Sequence, residues 1–318
     1  MSGGVNRRQL FAAVGAGLAG LGTAAGGSPA QAPGVVGLAD LEADLADDAK
    51  AARRAVAAAI RAATGSESAR YGLRKLVRAD DVVGVKLNCL AAPRLSPRPS
   101  LVEALVELLV EAGVGRHNVI LFERSSRELA RAGFVAGSGA GARVVGTDRD
   151  WDPRPSESGA IGSCFARLVS TTCTALVSFG VVKDHDLAGV SAGMKNFYGV
   201  IHNPNKYHDS GCDPYVADVV NHPFVRSKLR LTMLDGTLGQ CHGGPAFAAG
   251  WTFPLATVAA STDPVAADLW AWQVIDAERV RRGLPTLAAA GREPRWLATA
   301  ERYGLGLADP ERLERRRA

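Results

Sequence analysis

The histidines of this sequence are concentrated in one stretch. Five of the six lie between positions 185 and 242, and two of the five cysteines share that stretch. Imidazole and thiolate groups bind transition metals, and imidazole also carries protons near neutral pH. The stretch therefore predicts metal binding, proton transfer or the holding of a polar ligand. Its histidines and cysteines are His185, His202, His208, Cys212, His222, Cys241 and His242.

Three of these residues are candidate metal ligands. His202, His208 and Cys212 follow one another at spacings of six and four residues. This spacing matches no zinc-finger pattern, so the alternative is that each histidine is a hydrogen-bonded structural residue. The sequence has no Cys-x-x-Cys pair, and an iron–sulfur cluster of the ferredoxin type is not expected from this chain. The cofactor is left open, with a metal ion as one candidate.

Polar residues also follow three apolar runs that we interpret as strands. The carboxyl ends of parallel strands form one rim of an open sheet, and ligands bind there. If the three strands are parallel, their polar residues meet, with Lys183, His185 and Asp235 as catalytic candidates and Asp263 as a ligand-binding one. The runs are 175–182, followed by Lys183 and His185; 229–234, followed by Asp235; and 255–260, followed closely by Asp263.

Further ligand-binding candidates come from two loops. Lys86 and Asn88 end the first apolar strand and are expected at the same rim. Lys195 and Asn196 follow a glycine and a methionine, in a loop that can present a cation and an amide to an anion; a helix cap with a solvated lysine is the alternative. Asp263 precedes a proline, and its simplest interpretation is a helix N-cap.

Hydrophobic spacing predicts the elements that position these residues. Strands that alternate with helices favour a parallel sheet with right-handed crossovers. We predict a three-layer α/β domain with a mostly parallel central sheet and a polar, Gly/His-rich insertion at about 183–228. Beyond the three runs above, strands are expected at 82–87, 118–122, 143–146 and 165–170, and helices at 38–63, 101–112, from 126, and at 263–280.

The N-terminus has the pattern of an export signal. Arg7 and Arg8 precede the uncharged run 10–27, and a small-residue cleavage site ends at Ala32. Residues 6–11 resemble the twin-arginine motif. We predict a cleaved signal over 1–32, the twin-arginine translocase as a partner, and a periplasmic or extracellular protein. The alternative is an uncleaved anchor, although the run is glycine-rich and barely long enough to span a bilayer.

Composition supports an ordinary globular protein. The chain has 318 residues, with 47% hydrophobic and 22% charged residues, and a formal net charge of +5. The arginine-rich C-terminus lacks interleaved aromatic residues, so no nucleic-acid partner is expected. No later segment is apolar enough to cross a membrane, and no stable span is expected after cleavage. We predict one domain over 33–318.

Several short motifs occur in a fixed order at residues 83–89, 123–125 with 127–129, 132–133, 193–196, 234–236 and 261–268. Taken together and in this order, they resemble the family called domain of unknown function 362. The similarity extends from about residue 81 to residue 276. The resemblance implies no settled reaction, and some members of the family add a cysteine-rich ferredoxin-like module that this chain lacks.

Two functions agree with these observations. The first is an exported protein with a metal- or cofactor-dependent site at the strand C-termini, performing redox or isomerase chemistry. The alternative is a protein without catalysis that binds a small anionic ligand in the cell envelope. Lysine, asparagine and glycine residues serve both functions, so the sequence leaves the choice between them open.

Overall fold

The computed structural model describes residues 33–135 and 141–318. The predicted signal peptide at 1–32 lies outside the described residues. The five cysteines fall within them, and all are free thiols. No helix in the described ranges is long and apolar enough to cross a membrane.

A mixed sheet forms the centre of the molecule, and the predicted α/β class is confirmed. Its strand order is β11-β1-β10-β9-β7-β2-β3-β4, with β8 paired to β7. Only β10 and β8 run against the other strands of this sheet. The strands are β1 Gly34–Asp40, β2 Val83–Leu87, β3 Val119–Glu123, β4 Arg143–Gly146, β7 Ala175–His185, β8 Gly189–Ser191, β9 Leu229–Gln240, β10 Thr252–Ser261 and β11 Leu313–Arg317, while β5 Ser156–Ser158 and β6 Ile161–Ser163 form a separate hairpin.

Helices cover both faces of the sheet, which gives the three predicted layers. Two large apolar clusters lie on opposite sides of it: α1 to α4 contribute to one, and α5 to α8 to the other. The helices are α1 Ala49–Thr64, α2 Ala69–Leu76, α3 Pro99–Ala112, α4 Ser126–Arg131, α5 Tyr215–Asn221, α6 Pro223–Arg226, α7 Pro264–Arg281 and α8 Trp296–Arg302. Every residue of β2, β3 and β7 is buried, as expected of strands covered on both faces.

Local sequence signals explain where several of these elements begin and end. Gly113 ends α3 in the left-handed conformation at φ 116°, and its amide donates to Leu109 and Val110. Asp263 caps α7 and is followed by Pro264 at the first helical position, so the predicted N-cap is confirmed.

Two predicted elements are wrong. The helix expected over 38–63 begins only at Ala49, because residues 34–40 form strand β1 instead. That strand forms because it pairs with β10 and β11. The spacing of apolar residues along the chain does not reveal pairing with segments so distant in sequence. The strand expected at 165–170 is replaced by a short π-helical turn, Leu168–Thr172.

Residues 183–228 contain β8, three short 3-10 turns and the helices α5 and α6. Many of their side chains are buried, including Phe197 and Val200 at 0% exposure. That this segment is an insertion in the fold stays a prediction. Residues 183–228 contribute to the site through a turn at Lys195–Val200, which packs against β2 and β7.

Candidate functional site

A cavity of about 500 Å³ opens at the carboxyl ends of the parallel strands. This is the edge at which an open α/β sheet is expected to bind ligands, and the volume suits a small molecule. The polar residues that line it are Lys86, Asn88, Glu123, Arg124, Ser125, Glu128, His185, Asp186, Ser191, Lys195, Asn196, Asn205 and His208.

A buried ion pair forms the base of the cavity. The Lys86 Nζ atom lies 2.6 Å from Glu123 Oε1 and also donates to Asn196 Oδ1 at 3.0 Å. The Asn196 amide donates in turn to the Lys86 carbonyl and to Ser178 Oγ. Glu123 also accepts from the amides of Cys89 and Arg124. The polar atoms of the pair therefore have partners, although both side chains are almost fully buried.

Gly199 is required by the close approach of its backbone to this ion pair. A Cβ atom there would lie 2.6 Å from Lys86 Cε and 2.9 Å from Glu123 Oε1. Both side chains are held on all sides, so they have little room to move away. The glycine therefore lets the Lys195–Val200 turn close over the pair.

Lys195 lies at the wall of the cavity beside a histidine. Its Nζ atom is 3.1 Å from His208 Nε2 and 3.5 Å from the centroid of the Tyr198 ring. Among the described residues no carboxylate lies within 4 Å of it. Burial, with the charge of nearby Lys183, lowers the pKa of Lys195 to about 7, although Cys212 and Asp186 partly oppose this shift. The amine is therefore partly neutral near pH 7, and a neutral imidazole beside it can accept its proton.

Lys183 lies directly behind the cavity wall and is fully buried. Its Nζ atom donates to Asn88 Oδ1 and to the Pro245 carbonyl, each at 3.2 Å. Burial lowers the pKa of Lys183 to about 8, an effect that the Glu123 charge partly opposes. Neutral oxygen atoms thus hold the amine in place without compensating its charge.

His185 is a neutral imidazole at the same wall. Its Nδ1 atom accepts from the amides of Leu187 and Ala188, which assigns the ring proton to Nε2. Burial, with the nearby positive charges, lowers the pKa of His185 to about 2. The Asp186 carboxylate lies 3.0 Å from the same Nδ1 atom, but it is exposed and screened by water, so the ring stays neutral. The His185 and His208 rings stack with centroids 5.6 Å apart.

Two buried aspartates fix the loops that carry these groups. Asp268 of α7 accepts from the amides of Gly193 and Met194, directly before Lys195. Asp184 accepts from the amide of Gly244 and pairs with Arg292 at 2.8 Å. These bonds hold the backbone before Lys195 and beside Pro245, and they explain why the loops can present buried amines in fixed positions.

The structure brings together most of the residues predicted for the rim, but not Asp235 or Asp263. Because β9 continues to Gln240, Asp235 lies within the strand, where it accepts from the amides of Arg98 and Thr237. It lines a second cavity of about 440 Å³.

Asp263 lies at the opposite edge of the sheet because β10 is antiparallel. Its carboxylate accepts from the amides of Ala266 and Leu307.

The three candidate metal ligands occupy different environments. His208 lines the cavity, whereas His202 is exposed and its ring lies against Trp151. Cys212 is buried, and its Sγ atom lies 3.9 Å from the His208 carbonyl. In residues 33–135 and 141–318, no three His, Cys, Asp or Glu side chains are grouped so that they could hold a metal ion.

Glu123 is the main site residue that we did not predict from the sequence. It ends β3, directly after the predicted strand 118–122, and its carboxylate lies at the rim with the end of β2. The signal that identified Lys86 and Asn88, a polar residue that follows an apolar strand, also applies to Glu123.

Comparison with known proteins identifies the family of this chain. The family model Domain of unknown function (DUF362) matches residues 83–273, more than half of the chain, and the chain belongs to that family. A crystal structure of a protein from Thermotoga maritima is similar at 14% identity and a TM-score of 0.43, over 68% of this chain and 58% of that one. The match thus spans less than two thirds of that protein. A search of curated proteins finds no match.

Proposed function

We propose that this protein binds a small anionic organic substrate in the cavity and moves a proton on it, with Lys195 and His208 as the proton-transfer pair. The observation that carries the proposal is that two lysines, Lys183 and Lys195, are buried at one cavity with no carboxylate partner among the described residues.

A buried ammonium group without a counter-ion is costly, and the lowered pKa values of both lysines express that cost. An anion in the cavity would supply the missing charge and stabilise the protonated amines. Lys86 serves a different purpose, since Glu123 already neutralises it. Lys195, which lines the cavity, and Lys183 behind its wall therefore provide the buried positive charge that an anion would offset.

Proton transfer follows from the position of His208. A general acid or base works best when its pKa is close to the working pH, and that of Lys195 is about 7. Protonated Lys195 can give a proton to a bound substrate, and neutral Lys195 can remove one. His208 Nε2, at 3.1 Å, accepts the Lys195 proton and returns it. Isomerisation beside a carboxylate or a carbonyl group is a reaction of this kind.

Binding without catalysis is the second candidate, and the same lysines would support it. The predicted export signal supports placing either activity outside the cytoplasm. Turnover separates the two candidates, because a binding protein exchanges no substrate proton with solvent. Loss of deuterium from a bound 2-deuterated hydroxy acid, or from a 2-oxo acid deuterated at C3, is the measurement that would favour catalysis, and NMR follows it.

The binding step is tested by titrating lactate, a small carboxylate, into the protein and its variants. We expect Lys195→Met to weaken lactate binding by roughly tenfold or more, since it removes a buried positive charge from the site. Lys206→Met is the matched control, because Lys206 is exposed and lies outside the cavity lining. Equal affinity for lactate in the wild-type protein and Lys195→Met, with both folded, would overturn the proposal.

A further inference from the structure

We propose that the substrate of this site carries an aldehyde or ketone group and that Lys195 forms an imine with it. This inference rests on the proposed anion-binding function and names the class of substrate. It makes the lysine a nucleophile as well as a carrier of protons.

Lys195 has the surroundings of a nucleophilic amine. A lysine becomes nucleophilic when burial or a neighbouring cation favours its neutral form. Lys195 is 6% exposed, and its pKa is lowered by burial and by the charge of Lys183. A salt bridge would keep the amine protonated, and in the described part of the chain Lys195 has none. The side chain lines the cavity and can reach a molecule inside it.

The other two buried lysines at the site are held in different ways. Lys86 is paired with Glu123 at 2.6 Å. Lys183 is fully buried, donates to Asn88 and Pro245, and is not part of the cavity lining. Lys195 is therefore the amine that meets the substrate, and Lys183 acts on it through its charge.

The chemistry is balanced by protons that the site can move. The neutral Lys195 amine attacks the carbonyl carbon, and a C–N bond forms as the carbonyl π bond breaks. The nitrogen loses a proton to His208 Nε2, which is 3.1 Å away, and the alkoxide oxygen takes one proton from solvent water, giving a carbinolamine. When His208 returns its proton to the hydroxyl group, water leaves and a protonated imine remains. No oxidant, reductant or metal is needed.

Residues around the amine favour a small polar carbonyl compound with an acidic group. Tyr198 and Pro204 also line the cavity that contains Lys195. An exposed cationic group at the cavity is the guanidinium of Arg124, which donates to the His202 carbonyl. A carboxylate near Arg124 and a carbonyl group near Lys195 would suit a short 2-oxo acid. Once formed, the imine is cationic, and the carboxylate of the same molecule offsets its charge.

Reductive trapping tests this inference. The purified protein is incubated with pyruvate and sodium cyanoborohydride, and its mass is measured. We expect one adduct per chain, heavier by pyruvate minus one water plus two hydrogens, and peptide mapping should place it on Lys195. Adduct formation should rise with pH through about 7 as the amine loses its proton. The adduct should be absent in Lys195→Met and retained in Lys206→Met.

A second arm separates failure of this inference from failure of the proposed function. Lactate has the same carboxylate and no carbonyl group. If pyruvate and lactate both bind and Lys195 is not trapped, the imine at Lys195 is wrong and the anion site stands. If neither acid binds, the proposed function fails with it. Labelling spread over exposed lysines, and unchanged in Lys195→Met, would also overturn the inference.

Discussion

At the scale of single residues, the site consists of buried amines that differ in their partners. Lys86 has a carboxylate, while Lys183 and Lys195 have neutral acceptors, an imidazole or an aromatic face. Burial penalises the charge of a lysine, and an opposite charge beside it offsets much of that penalty. This difference divides them into a structural lysine and two functional ones.

The structural role of Lys86 gives a direct prediction. Replacing Glu123 by Gln leaves a buried ammonium group without its counter-ion, and we expect a loss of about 3 kcal/mol in the free energy of unfolding. Urea denaturation at pH 7 measures this loss. Glu107→Gln is the control, because Glu107 pairs with Arg53 at the surface and should contribute less than about 1 kcal/mol. Equal losses in the two variants would contradict the assignment of a buried ion pair.

The pH dependence of stability gives a second prediction. In the folded protein the pKa of Lys195 is about 7, below its value of 10.5 in the unfolded chain. The unfolded state therefore binds more protons between these values, so the contribution of Lys195 to stability rises with pH, by up to about 1.4 kcal/mol per unit. Between pH 7 and pH 9, Lys195→Met should show a smaller rise than the wild-type protein. If the stability of the two proteins changes equally with pH, Lys195 keeps its ordinary pKa in the folded protein.

At the scale of elements, strand direction decides which polar residues meet. The carboxyl ends of β2, β3 and β7 bring Lys86, Glu123 and Lys183 to one edge because these strands are parallel. The antiparallel β10 takes Asp263 to the other edge, where it caps α7. A position after an apolar run therefore indicates a rim residue only when the direction of its strand is known.

Asp263 provides the prediction that belongs to this scale. Asp263→Ala removes the acceptor for the amides of Ala266 and Leu307, and we expect the free energy of unfolding to fall by about 1–2 kcal/mol. The affinity for lactate should not change, since the residue lies at the far edge of the sheet. Denaturation and calorimetric titration of the same sample check both parts. A large loss of affinity for lactate, with the free energy of unfolding unchanged, would mean that Asp263 belongs to the ligand site.

At the scale of the whole molecule, much of the fold could be predicted from the sequence. Apolar runs predicted β2, β3, β4, β7, β9 and β10, and the alternation of strands with helices predicted the layered α/β class. Lys86, Asn88, Lys183 and His185 were placed at the correct edge because each follows a parallel strand. The family motifs agree with a model match over 83–273.

The remaining features depend on contacts that the sequence does not display. An apolar run gives no strand direction, so the reversal of β10 was not predictable. β9 extends through Asp235 to Gln240 because it pairs with β10 over that length, and the Asp235 carboxylate accepts from the amides of Arg98 and Thr237. The distance between Lys195 and His208 likewise depends on consecutive short turns, whose backbone angles follow no periodic pattern.

The central claim is that a buried, uncompensated Lys195 makes the cavity a site for anions. Calorimetric titration of lactate between pH 6 and pH 9 tests it most directly, because lactate stays ionised throughout. The account predicts that Kd is nearly constant below about pH 7 and then rises, approaching tenfold per unit as the free amine loses its proton. It also predicts that Lys195→Met binds weakly at every pH. A Kd that is flat over this range, or a profile that Lys195→Met retains, would contradict the account.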